Sequence, residues 1–545
     1  MSKNFILSDT QLKAINSDKN IVVTACPGSG KTTIMVEKIR KEIPALKSFQ
    51  GIIGITFTVK SSNELKERCS KDGFNLKSSF FGTIDHFCLS EIVYPFANRI
   101  FGSEVNEVEC KKYADIDDSF KHYLPNLDDS GINLTTADYE KYYNEFIKHY
   151  QNGFVLLEAV GIIANHTVNN SLSCRRYIKA RYSSLYVDEY QDSSEPQHQL
   201  FLTLLYLGLK ATAVGDIQQS IYAWRGSSSK YILELIQLNE NFEHHIVNVN
   251  YRCHPSIINY ANRLFSSKCE LLHTENIRVF RRCFDGTQLD LVVHLNDFIP
   301  KVAKHFGITS LSDIAVLVRT NRSLDYLTRH LKLPFRVYKD DILSSINSKY
   351  TRLYSDLLKY YFDSSVLISD ILEFSNSRDS LTKSKLNLVR KKIIELRSTY
   401  VNDLILAIQE ISFILIGEVS GEKDIEALYQ ILSNEEELKQ YKPKISNELQ
   451  VMTLHKSKGL EFEIVIHLDL CEWIFPLRRP SDDFNKPHYI DWDQDLNLHY
   501  VGITRAKKAC ILAYSSRRLN SSGYNKLGEP SSLLKLEGLS GLYLQ

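Results

Sequence analysis

The sequence predicts an α/β protein with parallel sheets, and three observations lead there. The stretch "NIVVTACPGSGKTTIMVEKI" (20–39) runs from an apolar, β-branched segment through a glycine-rich turn into helical spacing at Ile34, Val36 and Ile39. The stretch "SSLYVDEYQDSSEPQ" (183–197) is a short strand-like run with Asp188 and Glu189 at its C-terminal edge, the edge where parallel α/β sheets bind ligands. The chain has 545 residues, more than one hydrophobic core usually supports, so several domains are expected.

Each element then has its own reason. In "FILSDTQLKAIN" (5–16), Ser8 reads as a helix N-cap before Gln11, Leu12 and Ile15. The Gln11 amide donates and accepts at once, which makes it a candidate for reading adenine. In the glycine turn, Pro27, Gly28, Ser29 and Gly30 let the backbone curl so that several N–H groups aim at one anion. Ala25 stands where the strict pattern has its first glycine. Lys31 reaches the outer phosphates, Thr32 offers a hydroxyl to magnesium, and Thr33 follows in the first helical turn. Asp188 is placed to hold magnesium through water, and Glu189 to polarise an attacking water. The stretch "AVGDIQQSIYAWRGS" (213–227) sets amides that suit a phosphate beside Tyr222, Trp224 and Arg225, which suit a base. Such a segment touches two ligands.

Composition narrows the class. Hydrophobic content of 43% and charged content of 24% are those of a soluble globular chain rather than a disordered one. Lys+Arg (66) nearly cancels Asp+Glu (65), so any nucleic-acid surface must come from local clustering. The ten cysteines contain no C-x-x-C pair, the pattern of reduced cytosolic thiols, and Cys253, His254, Cys269, His273 and Cys283 match no common zinc spacing. "MSKNFILSDT" lacks an apolar signal region, and the uncharged run around "PQHQLFLTLLYLGL" falls short of a membrane span. A cytoplasmic protein without membrane association is expected.

Further segments recur in a fixed order. "GITFTVKSSNELKERC" (54–69), "FGTIDHFC" (81–88), "VDEYQD" (187–192), "GDIQQSIYAWRG" (215–226) and "NVNYRCHPSI" (248–257) are followed by "IAVLVRTNRSLDYL" (314–327) and "YSDLLKYYFD" (354–363). "VMTLHKSKGLEFEIVI" (451–466), "IFP" (474–476) and "NLHYVGITRAKK" (497–508) complete the series. Together they resemble the UvrD/Rep/PcrA family of superfamily 1A DNA helicases, with these segments in the places of motifs Ia, Ib, II, III, IV, V and VI and of the parts connecting them. The resemblance implies two RecA-like P-loop NTPase domains with parallel sheets and two small, mainly helical insertions, and an ATP- and magnesium-dependent DNA helicase. It divides the chain into a first motor domain (1–95 and 170–240), a 1B-like insertion (96–169), a second motor domain (241–363 and 447–545) and a reduced 2B-like insertion (364–446).

The same resemblance assigns roles. Arg252 and Arg505 reach the γ-phosphate, Gln219 senses it, Tyr251 stacks on adenine and Glu461 contacts the ribose; with Lys31, Asp188 and Glu189, the two arginines and Gln219 form the catalytic set. Phe57, Thr83, His86, Tyr222, Trp224, Arg225 and His455 form the DNA-facing set, suited to single strands without strong sequence preference. Thr33 stands where many relatives carry arginine, and "NGFVLLEAVGIIAN" (152–165) lacks the acidic segment usual before motif II. With its trimmed insertions and "GTIDHFC", the chain resembles the helicase-like subunits of Gabija antiphage systems. That implies defence, a hetero-oligomer with an ATPase-nuclease partner, and movement 3′ to 5′ on single-stranded DNA or DNA with single-stranded ends. The alternatives are a DNA-sensing ATPase that regulates the nuclease with little unwinding, and a compact DNA-repair helicase.

Overall fold

Two six-stranded sheets organise the chain, both parallel throughout. The computed structural model describes residues 7–102, 108–129, 131–339, 341–346, 348–374, 382–479, 487–520 and 522–545. The chain divides into two units, Met1–Cys253 with Asp491–Tyr500, and His254–Ile490 with Val501–Gln545.

In the first unit the strands are β1 (Ile21–Ala25), β2 (Gly51–Ile55), β3 (Phe80–Gly82), a separate short pair β4 (Glu109–Lys111) and β5 (Phe154–Leu156), then β6 (Tyr182–Val187), β7 (Lys210–Gly215) and β8 (Glu243–Val247). The sheet order is β3-β2-β6-β7-β1-β8. Its central strands read as near-continuous apolar runs because helices cover both faces. Ala14, Ile15, Ile34, Ile39 and Leu65 cover one face. Phe87, Ile163, Leu200 and Leu204 cover the other. All the loops that leave the C-terminal ends of these strands therefore emerge on one edge, and they hold "ACPGSGK", "TFT", "TIDHF", "DEYQD", "DIQQS" and "NVNYRC".

Two boundaries differ from the sequence reading. A first motor domain closing at 240 omits β8, yet β8 pairs with β1 from Ile21↔Glu243 to Ala25↔Val247, and the first unit runs on to Cys253. The first insertion, expected to be mainly helical, also carries the short parallel pair β4–β5, and its Phe101, Tyr113, Phe146 and Val155 share one apolar cluster with Leu185 and Leu204. Through that shared cluster it extends the layer that covers the sheet.

In the second unit, β9 (Val279–Phe284), β10 (Ile314–Val318), β11 (Phe335–Tyr338), β12 (Leu449–Thr453), β13 (Phe462–His467) and β16 (Ala506–Ser515) form a sheet in the order β11-β12-β10-β13-β16-β9. Two short antiparallel pairs flank it, β14 (Arg478–Arg479) with β15 (His488–Tyr489), and β17 (Arg517–Leu519) with β18 (Asn525–Leu527). Leu291, Leu295, Val316, Leu324 and Ile466 form the core on one face. The second insertion has a core of its own. Tyr354, Leu357 and Leu358 pack there with Val389, Ile393, Ile408 and Leu428, so the helix Lys349–Phe362, assigned from sequence to the motor domain, belongs instead to this helical cluster. Arg336 ties the insertion's C-terminal exit to β11, donating to the carbonyls of Lys442 and Pro443 (both 2.7 Å) beside a buried ion pair with Glu448 (3.3 Å). Among the described residues, no helix is long and apolar enough to cross a membrane.

Candidate nucleotide and nucleic-acid site

The loop after β1 is shaped by two residues in the left-handed region, Gly28 (φ +68°) and Gly30 (φ +80°). Gly28 is required on space as well, since a Cβ there would lie 2.4 Å from the Cβ of Arg252 and 2.8 Å from Oδ1 of Asn250. Gly30 starts the helix Lys31–Glu42, which has no side-chain cap, so its first N–H groups and the positive end of its dipole open onto the loop. The Ser29 hydroxyl is buried and lacks a hydrogen-bond partner among the described residues. Lys31 Nζ lies 3.3 Å from the Ala25 carbonyl and 3.5 Å from that of Cys26, contacts long enough to exchange for phosphate oxygens. Burial pushes the Cys26 thiol up to about 12 against the pull of Lys31. It therefore stays neutral and adds no negative charge to a loop suited to anions. Uncapped donors, an orphaned hydroxyl and a cation beside the loop fit a polyphosphate.

Two neighbours brace this loop. Gln11 is buried; its Oε1 accepts from the Ser8 N–H (2.7 Å) in a capping box, and its Nε2 donates to the Ser29 carbonyl (2.8 Å). The amide expected to read adenine thus also clamps the phosphate loop. On the other side, Tyr251 N–H donates to the Gly28 carbonyl (3.0 Å), and Asn250 Oδ1 accepts from the N–H groups of Arg252 (2.8 Å) and Cys253 (3.0 Å). Arg252 and the half-exposed ring of Tyr251 are thereby carried on a turn that abuts Gly28.

The acidic pair follows β6. Asp188 Oδ1 accepts from the Glu189 N–H (2.9 Å), and Glu189 sits in the left-handed region at φ +53°, a conformation that costs a non-glycine residue free energy and that clusters at functional sites. Gln191 Nε2 donates to Glu189 Oε2 (2.5 Å), Gln191 Oε1 accepts from the Asp216 N–H (2.9 Å), and Gln219 Nε2 donates to Asp216 Oδ2 (2.6 Å). A buried chain of polar groups therefore joins Glu189 to Gln219. Burial raises the Asp216 carboxyl above the usual carboxylate range, while Lys31 and the Gln219 amide pull it down and Glu189 adds to the rise. Gln191 and Asp216 were noticed in the sequence but given no site role. Both stood inside quoted motifs, but only the fold pairs them.

From Gln219 the chain passes through Ser220 to the turn Ala223–Arg225. The Tyr222 ring stacks on Phe57 with centroids 4.7 Å apart, and the Arg225 guanidinium lies 4.4 Å from the centroid of Trp224, which is 44% exposed. Thr83 caps a short helix by accepting from the His86 N–H, and His86 is exposed with its ring tilted against Phe80. Asp85, between them, is raised by burial and opposed by Gln197 and the charge of Arg225. Phe57, Tyr222, Trp224 and Arg225 form one aromatic and cationic surface. Two supports hold its turn. Gln494 Oε1 accepts from the Ala223 N–H (2.9 Å), and the Asn133 amide, from the first insertion, meets the Arg225 carbonyl (3.2 Å) and the Gly226 N–H (3.1 Å). Asn133 carried no local sequence signal.

The remaining candidates lie in the second unit. His455 opens a short turn after β12. Glu461 is exposed and paired with Lys507 Nζ (2.7 Å). Arg505 is only 2% exposed; its guanidinium donates to the carbonyls of Val501 (3.0 Å) and Leu460 (3.3 Å) and to the Thr504 hydroxyl (3.3 Å).

Comparison with known proteins agrees with this arrangement. The UvrD/REP helicase N-terminal domain matches residues 7–162 and 138–240, and the UvrD-like helicase C-terminal domain matches 336–517. Gabija protein GajB of Bacillus cereus (strain VD045) is 28% identical over 92% of this chain and 94% of its own. ATP-dependent DNA helicase Rep of Buchnera aphidicola subsp. Baizongia pistaciae is 23% identical, covering 94% of this chain and 92% of its own. ATP-dependent DNA helicase PcrA of Staphylococcus epidermidis is 24% identical, covering 97% and 86%. Phosphate loop, acidic pair, polar relay and ring surface stand on one sheet edge, and both halves of the chain match the corresponding family models: the chain belongs to the UvrD-like helicases, as a DNA-dependent ATPase of the helicase type.

Proposed function

We propose that the chain is an ATP-driven motor on single-stranded DNA that moves 3′ to 5′, opens duplexes, and serves antiphage defence beside a partner nuclease. The observation that carries this reading is the continuity of residues 216–225. One end is hydrogen-bonded into the relay that reaches Glu189, and the other is the ring and guanidinium surface. A shift of Gln219 on phosphate loss moves the turn that carries Trp224. In this reading Thr32, and Asp188 through water, would hold a magnesium ion that offsets phosphate charge, and Glu189 would accept the proton of the attacking water. Lys31, Arg252 and Arg505 offset phosphate charge, with Gln11, Tyr251 and Glu461 orienting the nucleoside. Defence and the nuclease partner rest on the likeness to GajB.

Duplexes with a 3′ or a 5′ single-stranded tail test the polarity: strand separation is expected from the 3′ tail, and opening from the 5′ tail alone refutes it. A second reading, a DNA-sensing ATPase that gates a nuclease, is favoured by the small core of the second insertion, which spans only Leu343 to Tyr441. DNA-stimulated hydrolysis without strand separation, together with co-purification of a nuclease, would select it.

A further inference from the structure

The backbone that leads from Gln219 to Trp224 is gripped by a helix 277 residues further along the chain. Asn497 Nδ2 donates to the Ser220 carbonyl (3.0 Å), and Gln494 Oε1 accepts from the Ala223 N–H (2.9 Å). The two side chains stand three residues apart on the helix Trp492–Ile503, so they share a face and hold the backbone on either side of Ile221 and Tyr222. Ser220 is fixed at its other polar end too. Its hydroxyl donates to the carbonyl of Gln191 (3.1 Å), the residue whose amide joins Glu189 to Asp216. One residue thus meets the polar relay through its side chain and the helix through its backbone. The helix itself is anchored along its length. Asp491 Oδ1 accepts from the Gln494 N–H (3.0 Å) and caps the first turn, and Leu496, Leu498, Tyr500, Val501 and Ile503 are buried. One turn beyond Asn497, about 6 Å along the axis, the Val501 carbonyl accepts from Arg505 Nε (3.0 Å). The helix begins in the first unit, and its last residues, from Val501, belong to the second.

We propose that Asn497 and Gln494 are positioning residues: they make this helix the lever through which the DNA-facing turn acts on Arg505, and so set how strongly DNA raises the rate of hydrolysis. The links run from Gln191 to Ser220, from Ser220 to Asn497, along one helical turn, and from Val501 to Arg505. Packed helices shift as whole bodies by about 1–2 Å, so a displacement at Asn497 arrives at Val501. The buried residues of the helix hold it in place without either amide, so the two hydrogen bonds are spare as packing and specific as a connection. The proposal rests on the reading that DNA drives this motor and that Arg505 offsets phosphate charge.

The test follows ATP turnover by the full chain against oligothymidylate concentration, which separates turnover at saturating DNA from the DNA concentration for half-stimulation. Asn497→Ala should lower turnover at saturation about threefold, and Asn497→Ala with Gln494→Ala about tenfold, while the half-stimulating concentration and the melting temperature stay at the parent values. Two acidic variants add the same charge with opposite consequences. Gln494→Glu keeps an acceptor for the Ala223 N–H and should match the parent; Asn497→Asp loses the donor to the Ser220 carbonyl and should fall at least as far as Asn497→Ala. A raised half-stimulating concentration with unchanged turnover at saturation overturns the proposal, since the helix would then only support the DNA-facing surface. Equal losses in the two acidic variants, or losses that follow the melting temperature, overturn it as well, by making the contacts electrostatic or structural. Parent turnover in every variant also overturns it and leaves the motor reading standing; a parent chain that DNA does not stimulate refutes the motor reading itself.

Discussion

The two sheets are alike in architecture and opposite in what their C-terminal edges carry. In the first, the backbone that departs from ordinary geometry belongs to Gly28, Gly30 and the acidic Glu189, and the side chains behind it are the amides and carboxylates of Gln191, Asp216 and Gln219. In the second, the departures are Asp469 and Trp473, and their partners are arginines: Arg518 on Asp469 (3.1 Å) and Arg478 on Trp473. The first edge gathers amides and carboxylates behind its glycine turn as well as rings, whereas the second sets arginines beside its strained residues. A shared parallel scaffold fixes where loops emerge, and loop chemistry decides what each edge does.

If that division is right, the largest effect comes from the first edge. Glu189→Gln keeps the shape and the left-handed backbone but removes the proton acceptor, so ATP turnover with saturating DNA should fall about a thousandfold, while nucleotide affinity stays near the parent value. Phosphate release and a fluorescent nucleotide titration check the two halves; normal hydrolysis would remove Glu189 from its role. Asp216→Asn cuts the relay one step further out. It keeps the size of the side chain but turns one of the two oxygens that accept from the Gln218 N–H and from Gln219 Nε2 into an amide donor, so turnover should drop about tenfold, about 1.4 kcal/mol of barrier. A drop as large as that of Glu189→Gln would instead make Asp216 the proton acceptor.

How much of this was legible in the sequence depends on how local each contact is. The phosphate loop and the acidic pair were readable because a left-handed turn, an anchoring lysine and a strand-end carboxylate are each encoded within a few consecutive residues. The α/β class followed from the same segments. The place of β8 was not readable. Glu243–Val247 alternates burial as an edge strand does, and nothing in five residues tells which sheet it joins. The helix Lys349–Phe362 likewise has an apolar face that suits either neighbour, and only packing on Val389, Ile408 and Leu428 decides. Gln11 shows the limit for side chains: an amide that can read a base can equally well cap a helix and hold a carbonyl, and here it does both of the latter.

A smaller effect separates the two ends of the segment that links the ligands. Trp224→Ala should leave nucleotide affinity in the absence of DNA unchanged and raise the DNA concentration for half-maximal ATPase stimulation about fivefold, the low end for one stacked base because Phe57 and Tyr222 remain. Lost nucleotide affinity with intact stimulation would place the ring in the first unit's packing instead.

The smallest effect probes the insertion. Asn133 meets the Trp224 turn at the Arg225 carbonyl and the Gly226 N–H, and it packs so closely on Gly226 that a Cβ there would stand 2.9 Å from Asn133 Cγ. The neighbouring Thr136 is held by Glu195 through its N–H (2.8 Å) and hydroxyl (2.6 Å), so the loop that presents Asn133 is fixed to the helix following the acidic pair. Losing one or two hydrogen bonds at a half-open site costs about 0.5–1.5 kcal/mol. Asn133→Ala should therefore raise the DNA concentration for half-stimulation about threefold, with DNA-free hydrolysis and melting temperature close to the parent. Asn133→Asp retains the acceptor for Gly226 N–H but not the donor for the Arg225 carbonyl, and should fall between. A lower melting temperature with unchanged DNA stimulation would reduce the first insertion to a cover for the sheet. The expected pattern makes it a brace that holds the DNA-facing turn against the motor, a function its continuous core with Leu185 and Leu204 equips it to perform.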